Sequence, residues 1–208
     1  MSPPRAYMSM YKGFWPIASE RIYQLVINNI DSNTDSICEI GFASGHLIAM
    51  LALRYNATKS RPYKLYGVEI RKEAYEETKA KFRSAGIEAT LFHGDAMNLF
   101  GHCSIIYSTG LLQCLRNKER SNLIKHMADI ADKAIFIVPR INENRNLSSS
   151  QKVGIAGCNE YATNQLLDQL IKCFHIVTYA HWSKKDLGLD DDFLVFVCQG
   201  RNNFRDSI

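Results

Sequence analysis

The stretch SICEIGFASGHLIAMLALRYNA, residues 36–57, decides how this chain is read. Ser36 to Ile40 is a short apolar run without polar alternation, which predicts a strand covered on both faces. Gly41, Ala43 and Gly45 follow as a turn of small residues, where the backbone can bend tightly and come close to a ligand. Gly45 to Ala57 then predicts a helix whose first N–H groups lie free at that turn. The glycine offsets differ from the dinucleotide fingerprint G-x-G-x-x-G, which sets a pyrophosphate on the helix N-terminus.

Outward from this unit the alternation continues. Lys64 to Ile70 predicts a second strand, and Arg71 to Ala85 a helix rich in Glu, Lys and Ala that Gly86 stops. Ala89 to His93 and Ser104 to Ser108 are further strands, with only Met97 to Cys103 between them for a helix. Asn117 to Ala131 predicts a helix with apolar Leu123, Ile124, Met127, Ile130 and Ala131, and Ala134 to Val138 a strand closed by Pro139. Strands alternating with helices imply βαβ units and a parallel sheet.

The last third breaks the rhythm. Tyr161 to Cys173 is helical in pattern, and Phe174 to His181 and Phe193 to Cys198 read as strands. Trp182 to Asp192 is too short to hold a crossover helix, so these two strands should pair antiparallel. The expected fold is α/β: a doubly wound, seven-stranded, mostly parallel sheet with a C-terminal antiparallel hairpin and helices on both faces. One domain should span residues 1–208, with the core over 31–200 and a helical lid or cap over 1–30. That cap carries an aromatic cluster, Tyr7, Tyr11, Phe14 and Trp15, ahead of a helix after Pro16. Residues 142–159 should form a long exposed loop.

Composition narrows the function classes. Twenty-five Lys and Arg face 21 Asp and Glu for a net charge of +4, and the basic residues are scattered rather than striped, which points away from a nucleic-acid partner. The N-terminus lacks the apolar core of a secretory signal, and the longest apolar run, Phe193 to Cys198, is too short to cross a bilayer. A cytoplasmic protein with no membrane partner is expected. The six cysteines form no C-x-x-C pair and read as reduced apolar fillers, and no metal site is expected.

In a doubly wound sheet ligands sit beyond the carboxyl ends of the strands, so the residues that matter follow each strand. After the first come Glu39 and the Gly41–Ala43–Gly45 turn. The second ends at Glu69, where a carboxylate can accept both hydroxyls of a ribose. The third ends at Asp95, Ala96 and Met97, which suit an exocyclic amino group and a flat ring. The fourth ends at Ser108, Thr109 and Gly110, a small polar loop facing the middle of the crevice.

Taken together these motifs resemble the class I S-adenosylmethionine-dependent methyltransferases. Residues 37–47, ICEIGFASGHL, resemble the family's first motif; VEI at 68–70 its ribose-binding strand end; GDAMNL at 94–99 its adenine-binding turn; and YSTGLLQCL at 107–115 its fourth motif. The final hairpin matches the family's antiparallel seventh strand. The resemblance implies S-adenosyl-L-methionine as cofactor. Gly41, Ala43 and Gly45 would shape the turn under its methionine part, and Glu39 would anchor the amino end or order the turn. Glu69 would hold the ribose, Ile70, Ala96 and Met97 the adenine, Asp95 its amino group, and Ser108 would lie near the methionine amine. The chain departs from the pattern in three places: the helix between the third and fourth strands is nearly absent, Ala131-Asp132-Lys133 replaces the usual Pro-Gly-Gly, and Gln113 and Cys114 stand where histidines are frequent.

Methyl transfer from a sulfonium is a displacement by an already activated donor, so the protein mainly positions and desolvates the nucleophile. No carboxylate sits clearly where a base would be needed, and no catalytic residue is assigned. The Asn/Asp-Pro-Pro-aromatic motif for exocyclic nitrogens and the Pro-Cys pair for pyrimidines are both absent. A small-molecule acceptor methylated on N or O is the expected substrate, with Tyr11, Trp15, Gln113, Arg140 and Asn142 lining its site. The alternatives are an RNA or protein methyltransferase with the same cofactor site, and a catalytically silent cofactor-binding subunit.

Overall fold

The computed structural model describes residues 16–58, 62–99, 101–140, 163–183, 185 and 192–201. Seven strands form one sheet: β1 (Ser36–Ile40), β2 (Lys64–Glu69), β3 (Thr90–His93), β4 (Cys103–Thr109), β5 (Ala131–Arg140), β6 (Phe174–Trp182) and β7 (Asp192–Arg201). Their order is β3-β2-β1-β4-β5-β7-β6. The first five are parallel, and β7 inserts antiparallel between β5 and β6. The expected architecture and its C-terminal hairpin are both present.

All five residues of β1 are buried, as a strand covered on both faces must be. The two faces sort by residue parity. Ile37 of β1, Ile105 and Tyr107 of β4 and Ile135 of β5 pack beneath α1 (Pro16–Asn28) and α2 (His46–Met50). Cys38, Ile40, Ile106, Ala134 and Phe136 pack beneath α4 (Asn117–Ile130) and α5 (Thr163–Cys173). Each fully buried side chain of this size contributes roughly 1.5–3 kcal/mol, so the two layers together hold the strand ends in fixed register.

Local chemistry sets the connections. The helix α3 (Lys72–Ala85) carries the Glu77–Lys81 pair one turn apart and ends at Gly86, whose φ of +64° suits glycine. In α4 the Arg116 N–H donates to Glu119 Oε2 at 2.9 Å, closing the first turn. That helix runs into β5 without an intervening residue, Ile130 to Ala131, so Ala131, expected as the last helical residue, and Asp132 and Lys133 belong to the strand. The helix expected over 45–57 begins as α2 but widens into a π turn over Leu51–Tyr55 and ends in a 3-10 turn over Asn56–Thr58. Arg54 in the widened turn pairs with Glu20 of α1 and lies 4.5 Å from the Tyr23 ring.

Among the described residues between β3 and β4 only a 3-10 turn, Ala96–Asn98, is formed, in keeping with the short spacing. Among the described residues, no helix is long and apolar enough to cross a membrane, and no cluster of His, Cys, Asp and Glu is placed to hold a metal. Cys38, Cys103 and Cys198 are buried free thiols, Cys114 is exposed and Cys173 half-buried. The aromatic cluster at 7–15, including Tyr11 and Trp15, and the loop at 142–159, including Asn142, lie outside the described residues, as does Cys158.

Candidate functional site

The strand order reverses between β1 and β4, and the crevice beyond their carboxyl ends is where a doubly wound sheet takes ligands. The turn after β1 is built from left-handed backbone: φ is +73° at Gly41, +49° at Ala43 and +67° at Gly45. Gly45 is required twice over, because a Cβ there would meet Thr78 Cγ2 at 2.5 Å and the Phe82 ring at 2.9 Å. Hydrogen bonds pin the turn at both ends, from Gly41 N–H to Val68 O at 2.8 Å and from Gly45 N–H to Phe42 O at 2.7 Å.

Glu69 closes this turn from the neighbouring strand. It is 3% exposed, and its Oε2 accepts the Ala43 N–H at 2.8 Å. Its Oε1 accepts from both the backbone N–H and the Nε of Arg71, at 3.0 and 3.1 Å. Thr78 of α3 donates to Ala43 O at 3.1 Å, so the turn is held on a second side. Two lone pairs per oxygen leave one acceptor position open on Oε2.

Glu39 is buried one strand position before the turn and accepts from the Tyr107 hydroxyl at 3.0 Å. Burial lifts its pKa to about 8, against the opposing pull of the Tyr107 and Ile48 hydrogen bonds, and the charge of Glu69 adds to the rise. Glu39 therefore holds its proton in preference to the charge at neutral pH. His46, first residue of α2, is driven the other way: burial lowers its pKa to about 4.

On the other side of the turn opens a cavity of about 300 Å³. Ile70, Asp95, Ala96 and Met97 line it together with Gly41, so five of the sequence-predicted cofactor residues share one space. Asp95 caps its own turn, accepting the Met97 N–H at 2.9 Å. Ile70 and Met97 leave large apolar surfaces exposed at the mouth. The far wall comes from Leu111 and Leu115, which lie in the fourth motif but had no role assigned, and from Glu119, Asn122 and Leu123, which no motif covers. Their near-helical spacing on one stripe was the available signal, and the missing β3–β4 helix is what lets α4 reach the cavity. A larger groove of about 690 Å³ lies at the amino ends of β2 and β3, around Lys64 and Thr90, away from this chemistry.

Ser108 and Gln113 are buried at the end of β4, outside the residues lining that cavity. Arg140 ends β5, paired with Asp192 in the sheet register; its side chain is not among those described.

The comparisons agree with this geometry. Residues 37–133 match the family model of a methyltransferase domain. A sequence search of the curated proteins finds no match. Among solved structures, magnesium protoporphyrin IX methyltransferase from Synechocystis with bound S-adenosylhomocysteine is 16% identical, with a TM-score of 0.65 over 88% of this chain and 82% of that one. An S-adenosylmethionine-dependent methyltransferase from Clostridium acetobutylicum is 11% identical, with a TM-score of 0.65 over 92% and 94% of the two chains. The cyclase SpnF is 12% identical, with a TM-score of 0.68 over 91% and 83%. Such identities establish the fold, and a cyclase among them is a reminder that the reaction is decided by the site.

Proposed function

We propose that this chain is a class I S-adenosylmethionine-dependent methyltransferase and moves a methyl group to a nitrogen or oxygen of a small-molecule acceptor. The observation that carries the reading is the position of Glu69: a buried carboxylate at the end of β2, bonded to the turn after β1 and set in sequence between Val68 and Ile70, which line a cavity of about 300 Å³. A volume of this size is at the small end of ligand pockets. Its apolar walls at Ile70, Ala96 and Met97 suit a flat ring, and Asp95 offers a carboxylate to an amino group.

The residues fit the group they would hold. Gly41, Ala43 and Gly45 keep side chains away from the approach over the turn. Glu69 retains one acceptor position on Oε2, and a second opens if the Arg71 guanidinium swings out, which its 62% exposed side chain permits. Glu39 lies where it can take the amino end, and Ser108 is on the adjacent strand end. When bound, S-adenosylmethionine supplies a sulfonium-activated methyl group; the chain's own residues bind, orient and exclude water. A small acceptor is supported by the scattered charge and by the small molecules named for some of the structural neighbours, a porphyrin among them. A cytoplasmic location and a lining role for Gln113, Arg140, Tyr11, Trp15 and Asn142 belong to the same proposal. So does a single 1–208 domain with a cap over 1–30, whose α1 is tied to the core through Glu20 and Arg54.

Calorimetry with S-adenosylmethionine, S-adenosylhomocysteine and NAD tests the cofactor. Binding of the first two without NAD is expected, and tight NAD binding alone refutes the reading. Steeply salt-sensitive methylation of bulk tRNA refutes the small-molecule acceptor.

A further inference from the structure

We infer that Asn122, on α4, is a base-reading residue of the cofactor site, its carboxamide N–H donating to a ring nitrogen of the adenine. This rests on the methyltransferase reading above and adds a residue that none of the motifs covers.

The connection between β3 and β4 carries a single 3-10 turn among its described residues, so α4 packs straight against it. Ala96 and Leu99 of that connection sit against the buried layer that holds Leu123 and Met127 of α4. Glu119, Asn122 and Leu123 recur at helical spacing and all line the cavity of about 300 Å³. Leu123 is buried and apolar, whereas Glu119 and Asn122 bring exposed polar side chains to the wall.

Donors and acceptors in this cavity are unequal. Adenine presents one amino group that donates and several ring nitrogens that accept. Asp95 and Glu119 offer carboxylates, and a carboxylate only accepts. They can answer the amino group but not the ring. Among the described side chains that line the cavity, Asn122 alone carries an N–H or O–H donor. Backbone donors nearby are already spent: Gly41 N–H goes to Val68 O at 2.8 Å, Gly94 N–H to Glu69 O at 3.0 Å, and Met97 N–H to Asp95 Oδ1 at 2.9 Å.

The carboxylates are partly committed as well, Asp95 to Met97, and Glu119 to the Arg116 N–H, which its Oε2 accepts at 2.9 Å. No hydrogen bond among the described residues engages the Asn122 carboxamide. It is free to turn its N–H to a ring nitrogen and its oxygen to the neighbouring amino group, the paired contact by which a carboxamide reads an adenine edge. A helix residue that merely faces water would be indifferent to substitution.

Calorimetry with S-adenosylhomocysteine and its 1-, 3- and 7-deaza analogues tests this on wild type, Asn122→Asp and Asn122→Leu. Each analogue replaces one ring nitrogen by C–H. Both substitutions remove the donor, and Asn122→Asp keeps the shape. Each variant should bind S-adenosylhomocysteine about three- to tenfold more weakly, the effect of one hydrogen bond. Its melting temperature should stay within about 2 °C of wild type, because the position is exposed. One of the three analogues should lose a similar factor with wild type, yet bind Asn122→Leu as tightly as S-adenosylhomocysteine does, since the bond it lacks is already gone. Affinity within twofold of wild type in both variants overturns the proposal. So does a wild type indifferent to all three analogues, an equal loss for every analogue in wild type and Asn122→Leu, or a large fall in melting temperature in both variants. A wild type that binds neither S-adenosylhomocysteine nor S-adenosylmethionine refutes the methyltransferase reading itself.

Discussion

The carboxylate of Glu69 accepts the Ala43 backbone N–H at 2.8 Å, across from one strand end to the turn of its neighbour. The residue read from the sequence as a ligand contact is therefore also a brace. Glu69→Ala removes a charge-assisted bond and leaves the half-buried Ala43 N–H without its partner. Affinity for S-adenosylhomocysteine should fall about tenfold or more, at roughly 1.5–3 kcal/mol per such bond. The same change should lower the melting temperature by several degrees. A variant that binds normally would remove the ribose role.

Arg71 competes for the same carboxylate. Its Nε bond to Glu69 Oε1 is 3.1 Å, and with the Arg71 side chain 62% exposed the pair contributes about 0.2–1 kcal/mol. If the guanidinium must leave for a second ribose hydroxyl to be accepted, Arg71→Ala should bind S-adenosylhomocysteine up to about fivefold more tightly. Calorimetry reads this directly, and weaker binding by the variant would show that Arg71 contributes to the site instead.

The turn offers a paired test of backbone strain. Ala43 sits at φ +49°, where an L side chain costs about 1 kcal/mol. Ala43→Gly should raise the melting temperature or leave it unchanged. Gly45→Ala should lower it sharply, because the new methyl collides with Thr78 and Phe82. Equal effects of the two substitutions would contradict the geometry described here.

The pKa of Glu39 gives stability a direction in pH. A carboxyl raised from 4.5 to about 8 binds its proton more tightly when folded, so its contribution is complete below pH 4.5 and is lost as pH rises to 8. His46, lowered from 6.5 to about 4, acts oppositely and only below 6.5. Between pH 6.5 and 8 Glu39 acts alone of the two, and its contribution should fall by about 2 kcal/mol. Glu39→Gln should flatten that part of the melting-temperature profile. An unchanged slope in the variant would mean Glu39 is ionised in the folded protein.

Ligand binding should report on the same proton. If the cationic amino end of S-adenosylmethionine settles at Glu39, the carboxyl gives up its proton, and the binding enthalpy at pH 7 should vary with the ionisation enthalpy of the buffer. Equal enthalpies in phosphate and Tris would place the amine elsewhere.

Much of this arrangement was legible in the order of motifs. The apolar runs gave β1 to β5, and the short spacer after Phe174–Trp182 gave the antiparallel hairpin, because both depend on local pattern and length. The partners of the site residues were not legible. Tyr107 meets Glu39 across 68 residues of sequence, and nothing local announces a hydrogen bond across strands. Arg71 was visible as the start of a helix and not as a ligand of Glu69. The π turn at Leu51–Tyr55 looks in sequence like a continuation of α2. The cavity wall from Leu111 to Leu123 became part of the site only because the β3–β4 connection is too short to cover it.

The place of β7 has a bearing on how the chain acquires its structure. β5 is among the most deeply buried strands, with Ala134 to Val138 almost fully covered, yet its outer edge is paired only by a strand that begins at Asp192. During synthesis that apolar edge emerges long before its partner and stands open to any other extended segment. The last strands are thus a folding requirement for the whole sheet, and a chain stopped before Asp192 should collect in inclusion bodies although every residue lining the 300 Å³ cavity is already present.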